Sequence, residues 1–250
     1  MSTAALSLEF VVQSVAGARS AHAVDADRVE LCAALGPTGG IAPSLGLIER
    51  CLGVGLPVLT MVRCRPGPFL YDADETATMA RDAALAMRAG AAGVVFGALT
   101  SDATVDADAV RRVRDAARDV DPDAQLVFHR ALDVLIGLGR AERAVETLVG
   151  LGCTRVISSG GAARAVDGTP ALAKLVRQAD GRIQVQAGGH VRPHDVAALA
   201  ATGVDAVHTS ATGIIVLPGP GAGPGGGDDR VEVTDPSRVQ AMADAVAALR

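Results

Sequence analysis

Five ionisable side chains stand inside otherwise apolar runs of the sequence, where a charge is retained only if it is paired or used. They are Glu9 in Leu8-Glu9-Phe10-Val11, Glu30 in Val29-Glu30-Leu31-Cys32, Arg63 two residues after Met61, His129 after Val127-Phe128, and His208 after Ala206-Val207. Carboxylates, imidazoles and a guanidinium together suit proton transfer. His129 or Glu30 would take a proton while arginine neutralises an anionic substrate or a developing oxyanion. With Asp133, which lies in a loop beside Arg65 and Arg130, these residues make the expected catalytic set of Glu9, Glu30, Arg63, His129, Asp133 and His208.

The same residues allow other chemistry. A hard divalent ion has suitable ligands in Glu9, Glu30, Asp133 and His129, but no H-x-x-x-H or comparable spacing supports it. A soft Cu(I) ion would take Cys32, Cys64 and Met61, because thiolate and thioether favour it. A fourth reading is anion binding. The stretches Gln186-Ala187-Gly188-Gly189-His190 and His208-Thr209-Ser210-Ala211-Thr212 supply glycines and hydroxyls at the ends of two apolar runs. The groups expected to hold an anionic substrate are Arg65, Arg130, Ser159, Gly188, Gly189 and Ser210.

Residues so far apart meet only if the fold gathers them, and the hydrophobic pattern says how. Strands are expected at Ser7–Val12, Arg28–Cys32, Pro57–Arg63, Gly93–Gly97, Gln125–Arg130, Arg155–Gly160, Arg182–Gly188 and Ala206–Thr212. Helical stretches fall between and after them, at Thr76–Ala89, Asp106–Asp119, Ala141–Leu151, Pro170–Ala179, Pro193–Ala201 and Asp235–Arg250. Glycine separates helix from strand at Gly90, Gly152 and Gly203, as a helix stop does. Eight strand-helix units in 250 residues predict a single (β/α)₈ TIM barrel, an α/β fold in one domain over residues 1–250. Alternation along the second strand then puts Glu30 and Cys32 on the inner face, away from Val29 and Leu31. The Gly/Pro-rich stretch from 217 to 229, after the eighth strand, is expected to be a flexible loop over the barrel mouth.

Composition excludes several classes. A formal net charge of −5 with no basic block argues against nucleic acid and against a charged membrane surface. No apolar run is long enough to span a bilayer and the first residues lack a secretory pattern, so a cytoplasmic protein is expected. The four cysteines follow no metal or disulfide spacing and read as reduced thiols.

Several stretches resemble the CutC, or copper homeostasis protein, family. They are Leu8-Glu9, Ala26-Asp27-Arg28-Val29-Glu30-Leu31-Cys32-Ala33-Ala34, Gly39-Gly40-Ile41-Ala42-Pro43-Ser44-Leu45-Gly46, and Arg63-Cys64-Arg65 with Phe69 and Tyr71. Further on come Phe128-His129-Arg130-Ala131-Leu132-Asp133, Ser159-Gly160, Ala187-Gly188 and Val207-His208-Thr209-Ser210-Ala211. The resemblance implies a cytoplasmic TIM barrel, a homodimer, and a role in copper homeostasis through copper binding. The chain retains the family's cysteine at Cys32, which with Met61 is the expected soft-ligand pair for Cu(I). The chain departs from the family's pattern at Pro68, where relatives carry an acid, and Cys51, Cys64 and Cys153 do not resemble family features. Two functions of different class follow. One is a copper-binding protein. The other is an isomerase, lyase or epimerase acting by acid/base chemistry on a small anionic, sugar-like or phosphorylated substrate.

Overall fold

Runs of Val, Ile and Leu buried on both faces favour parallel pairing, and here they close into a ring. The strands are β1 (Ser7–Val12), β2 (Arg28–Leu31), β3 (Val58–Met61), β4 (Gly93–Phe96), β5 (Gln125–Phe128), β6 (Arg155–Ser158), β7 (Gln184–Gly188) and β8 (Ala206–Thr209). Each pairs in parallel with the next, and β8 returns to β1, so that Glu9 lies opposite both Arg28 and His208. The structure, a computed structural model, describes residues 5–217, 221, 223, 227 and 229–250.

Alternation along each strand builds two cores. Val11, Cys32, Leu59, Met61, Val95, Val127 and Ile157 fill the barrel interior. Phe10, Leu31, Phe96, Leu126, Phe128 and Val156 point outward and pack beneath the helices. The helices are shut off by the signals the sequence carries. At Ala73–Ala89, Asp72 and Glu75 form a reciprocal capping box and Gly90 ends the helix at φ 106°.

Seven of the eight strands are shorter than the hydrophobic runs that announced them. The ladder breaks off at Leu31, Met61, Phe128, Ser158 and Thr209, so Cys32, Arg63, His129, Ser159 and Ser210 stand just past the carboxyl ends. Short helices at Val15–His22, Leu45–Leu52 and Ala131–Gly137 were not expected, since each covers only two turns.

The region after β8 departs most from expectation. Ala211 turns at φ 46°, and Thr212 begins a new strand instead of extending β8. This strand, β9 (Thr212–Val216), pairs antiparallel with β10 (Arg230–Thr234) in a hairpin. Most of the expected flexible stretch from 217 to 229 lies outside the described residues. The hairpin is docked on the barrel mouth. Glu232 accepts hydrogen bonds from Gln13 Nε2 (3.0 Å) and the Gly36 amide (2.9 Å). Gly17 passes so close to Thr234 that an added Cβ would lie 2.5 Å from its hydroxyl. Among the described residues no helix is long and apolar enough to cross a membrane.

Because Glu232 carries two of the hairpin's polar attachments, Glu232→Ala is expected to speed amide exchange across residues 230–234 while the β1–β8 ladder keeps its protection. Hydrogen exchange with mass readout checks this, and uniform loss of protection would contradict it.

Candidate active site

The site is built upward from Glu9, which is fully buried on the inner face of β1. Its Oε2 accepts from Arg28 Nε at 2.6 Å, with Arg155 Nη1 3.6 Å away. Its Oε1 accepts from Gln186 Nε2 at 2.6 Å and from His208 Nδ1 at 2.7 Å. Burial alone would push this carboxyl up, but the hydrogen bond and charge of His208, with Arg28 and Arg155, hold it at about 2. Glu9 is therefore a permanent anion. His208 is raised in turn: burial opposes its charge, and the neighbouring Glu30 and the bonded Glu9 outweigh that.

Glu30 lies one layer nearer the mouth, opposite Val11 and Leu59 in the sheet register. Burial raises its carboxyl to about 7, with the charge of Glu9 adding to the effect and His208 pulling the other way. Its Oε2 is buried without a hydrogen-bond partner. Above it opens a cavity of about 640 Å³, lined among others by Glu30, Arg63, Phe69, His129, His208 and Glu232.

His129 reaches this cavity from just beyond β5, packed against Phe69 with ring centroids 4.8 Å apart. Burial, then the charges of Arg63 and Arg130, lower its pKa to about 3, so the ring is neutral. The Ala131 amide donates to Nδ1 (3.2 Å). That assigns the proton to Nε2, which is buried and unpartnered. His129 is thus a neutral residue of the cavity lining with one unused donor.

Arg63 is held by the loops. Nη1 donates to the carbonyls of Thr38 (2.8 Å) and Gly40 (2.9 Å), and Nη2 to that of Gly67 (2.9 Å). Phe69 lies beneath its guanidinium at 5.0 Å. No carboxylate among the described residues pairs with it. It is a buried cation, 5% exposed, whose charge is left for whatever enters the cavity.

The remaining expected residues divide. Arg130, Gly189 and Ser210 line the same cavity. Asp133 does not: its oxygens accept from Arg130, the Ser158 and Ser159 hydroxyls and the Ser159 and Gly161 amides, which makes it a loop organiser. Ser159 is tied into that cluster, with its one hydroxyl proton between Asp133 Oδ2 and the Ala162 carbonyl. Arg65 turns away, pairing with Glu75 and stacking on Tyr71. Gly188 acts by its lack of a side chain, since an added Cβ would lie 2.7 Å from Ile157 Cγ2 and 3.0 Å from His208 Cδ2.

Neither metal reading finds a fitting ligand set. The hard-ion set does not assemble, because Asp133 is saturated in its loop. Glu9, Glu30 and His208 do bring ligand atoms within 4.8 Å of one another, but the Glu9 oxygens are already taken by Arg28, Gln186 and His208. For a soft ion, Cys32 Sγ and Met61 Cε lie together beneath Gly40, each 3.5 Å from the place its Cβ would take. Cys64 lies outside this interior cluster. Burial, with Glu30 and Glu232 nearby, pushes the Cys32 thiol well above the usual thiol range, so it stays protonated.

Three participants were not among the expected residues. Arg28 was recoverable, because it lies two residues before Glu30 and so shares its inner face. Gln186 was visible as a polar inner-face residue without a role. Glu232 comes from β10, and no local pattern announces a contact 196 residues away with Gly36.

A closed eight-stranded barrel with buried ionisable groups converging on one cavity at the strands' carboxyl ends has the architecture that enzymes of the TIM-barrel class use. The chain belongs to the CutC family, whose sequence pattern matches residues 6–213. A family protein CutC from Xanthomonas axonopodis pv. citri is 39% identical over 250 residues, covering 96% of this chain and 99% of its own. One from Agrobacterium fabrum is 42% identical over 192 residues, 77% of this chain and 73% of its own. The crystal structure of CutC from Streptococcus agalactiae superposes with a TM-score of 0.76 at 29% identity, covering 82% of this chain and 98% of that one.

Glu30 also sets a pH dependence. Its folded-state pKa of about 7 stands above the 4.5 of a free glutamate. Its contribution to stability is therefore complete below the lower value and lost as pH rises through the higher one, by up to about 3 kcal/mol. Glu30→Gln has no such loss. Urea denaturation is expected to find the variant more stable than the wild type at about pH 8.5, with the gap shrinking towards about pH 5. A gap independent of pH would contradict this account.

Proposed function

We propose that this CutC-family chain is an enzyme that removes a proton from carbon beside a carbonyl group in a small polar substrate, as an isomerase, epimerase or lyase does. The observation that carries the reading is Glu30, a carboxylate that lines the cavity, with one buried, unpartnered oxygen and a pKa of about 7. A base is most effective when its pKa lies near the working pH. In this scheme Glu30 Oε2 takes the proton, and the carbon–hydrogen bonding pair moves through the adjacent carbon to the carbonyl oxygen, giving an enolate. The Nε2–H of His129 donates to that oxygen, and the unbalanced charge of Arg63 stabilises it. Depression of the His129 pKa to about 3 keeps the ring a neutral donor that does not protonate the enolate outright. Glu9 and His208 are positioning residues, which hold Glu30 at its intermediate acidity. Where the deprotonated carbon carries a hydroxyl, the intermediate is an enediolate. Delivery of the proton from Glu30 to the former carbonyl carbon, with the hydroxyl proton passing to the former carbonyl oxygen, completes an isomerisation. Epimerisation has solvent protonate the opposite face of the original carbon while Glu30 gives its proton up to solvent.

Copper homeostasis is the second reading. It rests on the family, on the role provisionally given to the Streptococcus agalactiae protein, and on the neighbouring Cys32 and Met61. A single protonated thiol beside one thioether is a poor Cu(I) site compared with paired thiolates.

Incubation in deuterium oxide with a panel of hydroxy-ketones, hydroxy-aldehydes and keto acids, read by proton NMR, tests the first reading. Exchange beside the carbonyl of at least one compound is expected, slowed by about 100-fold or more in Glu30→Gln. Equal rates in the two proteins throughout the panel would reject it. Anaerobic Cu(I) titration against a competing chelator tests the second, and Cys32→Ala is expected to bind as the wild type does. A loss of tenfold or more in that variant would favour copper.

A further inference from the structure

The cavity has two sides, and only one is used by proton abstraction. Across from Arg63 and Phe69 its wall is made by the loops that follow β7 and β8, through Gly189, His190 and Ser210. The backbone N–H groups of these three residues donate to nothing among the described residues. The Ser210 hydroxyl is likewise without a partner among the described residues.

Arg130 stands beside them. Its Nε donates to Asp133 (2.8 Å) and its Nη2 to the Ser159 hydroxyl (3.0 Å), which fixes the guanidinium and leaves Nη1 without a partner. Gly189, at φ 122°, runs directly against it: an added Cβ would lie 3.3 Å from Arg130 Cζ and 3.1 Å from Ser159 Cβ. Only glycine lets backbone and guanidinium share this corner. Five donors of four residues that line the cavity, three amides, a hydroxyl and a guanidinium nitrogen, thus have no acceptor of the protein's own among the described residues.

We propose that this wall is a seat for a phosphate monoester group, so that the substrate of the reaction above is a small phosphorylated carbonyl compound. The inference rests on that reading for the carbonyl end and on the β7 and β8 loops for the phosphate end. Three terminal oxygens with several lone pairs can satisfy five donors, whereas a carboxylate offers two oxygens and leaves donors bare. Convergent backbone amides also favour a compact multivalent anion. Phosphate held here leaves the far end of a short substrate among Glu30, His129 and Arg63.

Inorganic phosphate is the probe. Its addition to ¹⁵N-labelled protein is expected to move the amide signals of Gly189, His190 and Ser210 most, saturably, with acetate at equal concentration moving them far less. Ser210→Asp and Arg130→Gln are each expected to weaken phosphate binding by about tenfold or more. Ser210→Ala, which removes only the hydroxyl, is expected to weaken it by about fivefold and guards against misfolding of the aspartate variant. Glu30→Gln is expected to bind phosphate at least as tightly as the wild type. The proposal is overturned if phosphate does not bind, if the largest shifts fall around Arg63 and Gly39, if acetate matches phosphate, or if the Ser210 and Arg130 variants bind within twofold of wild type. Failure of the deuterium exchange with phosphate binding intact would remove the reaction and leave the seat.

Discussion

Glu9 sits on the barrel's inner face with an ionised carboxylate and donors from four directions, and the behaviour of the mouth depends on it. Its charge is tolerable in so dry a place because Arg28, Gln186 and His208 each direct a hydrogen bond at it, with Arg155 close behind. The same charge keeps the Nδ1 proton on His208 and makes a second buried anion beside it costly, which helps keep Glu30 poised between protonated and ionised forms. Two glutamates in adjacent layers of one barrel thus have opposite character. Partners decide it: Glu9 accepts three bonds and lies among the charges of His208, Arg28 and Arg155, while one oxygen of Glu30 accepts none.

The eight strands were legible because each is a short apolar run between Ala-rich helical stretches, and parity along those runs assigned Glu30 and Cys32 to the inner face. Parity could not say how far up the barrel each residue sits. That depends on stagger between neighbouring strands, which is a property of the closed ring. Hence Glu9, grouped with the mouth residues on sequence grounds, lies beneath them, and Asp133, which is near His129 in sequence, serves a loop. Arg65 was misleading because the direction of a loop residue follows no strand parity: it pairs with Glu75 and stacks on Tyr71. The hairpin was illegible because its strands are separated by a Gly/Pro-rich stretch that breaks the alternation on which strand recognition relies.

Cys32 and Arg63 show how position overrides residue type. A cysteine beside a methionine suggests a soft-metal ligand, yet Cys32 is enclosed by Val11, Leu59 and Met61 in the interior cluster and close to two carboxylates, conditions that retain its proton. Arginine is the commonest partner of buried carboxylates, yet Arg63 is held by three peptide carbonyls and keeps its full charge unbalanced. The first is chemically quiet because of its surroundings, and the second is kept active by them.

The hairpin that brings Glu232 to the mouth begins near residue 213, where the matched family pattern ends, and precedes the closing helix at Pro236–Ala247. Glu232 and the groups at the strand ends therefore come from separate stretches of the chain. Exchanges between residues 230 and 234 would alter the rim at Glu232 while leaving Glu30, Arg63 and His129, which come from elsewhere on the chain, where they are.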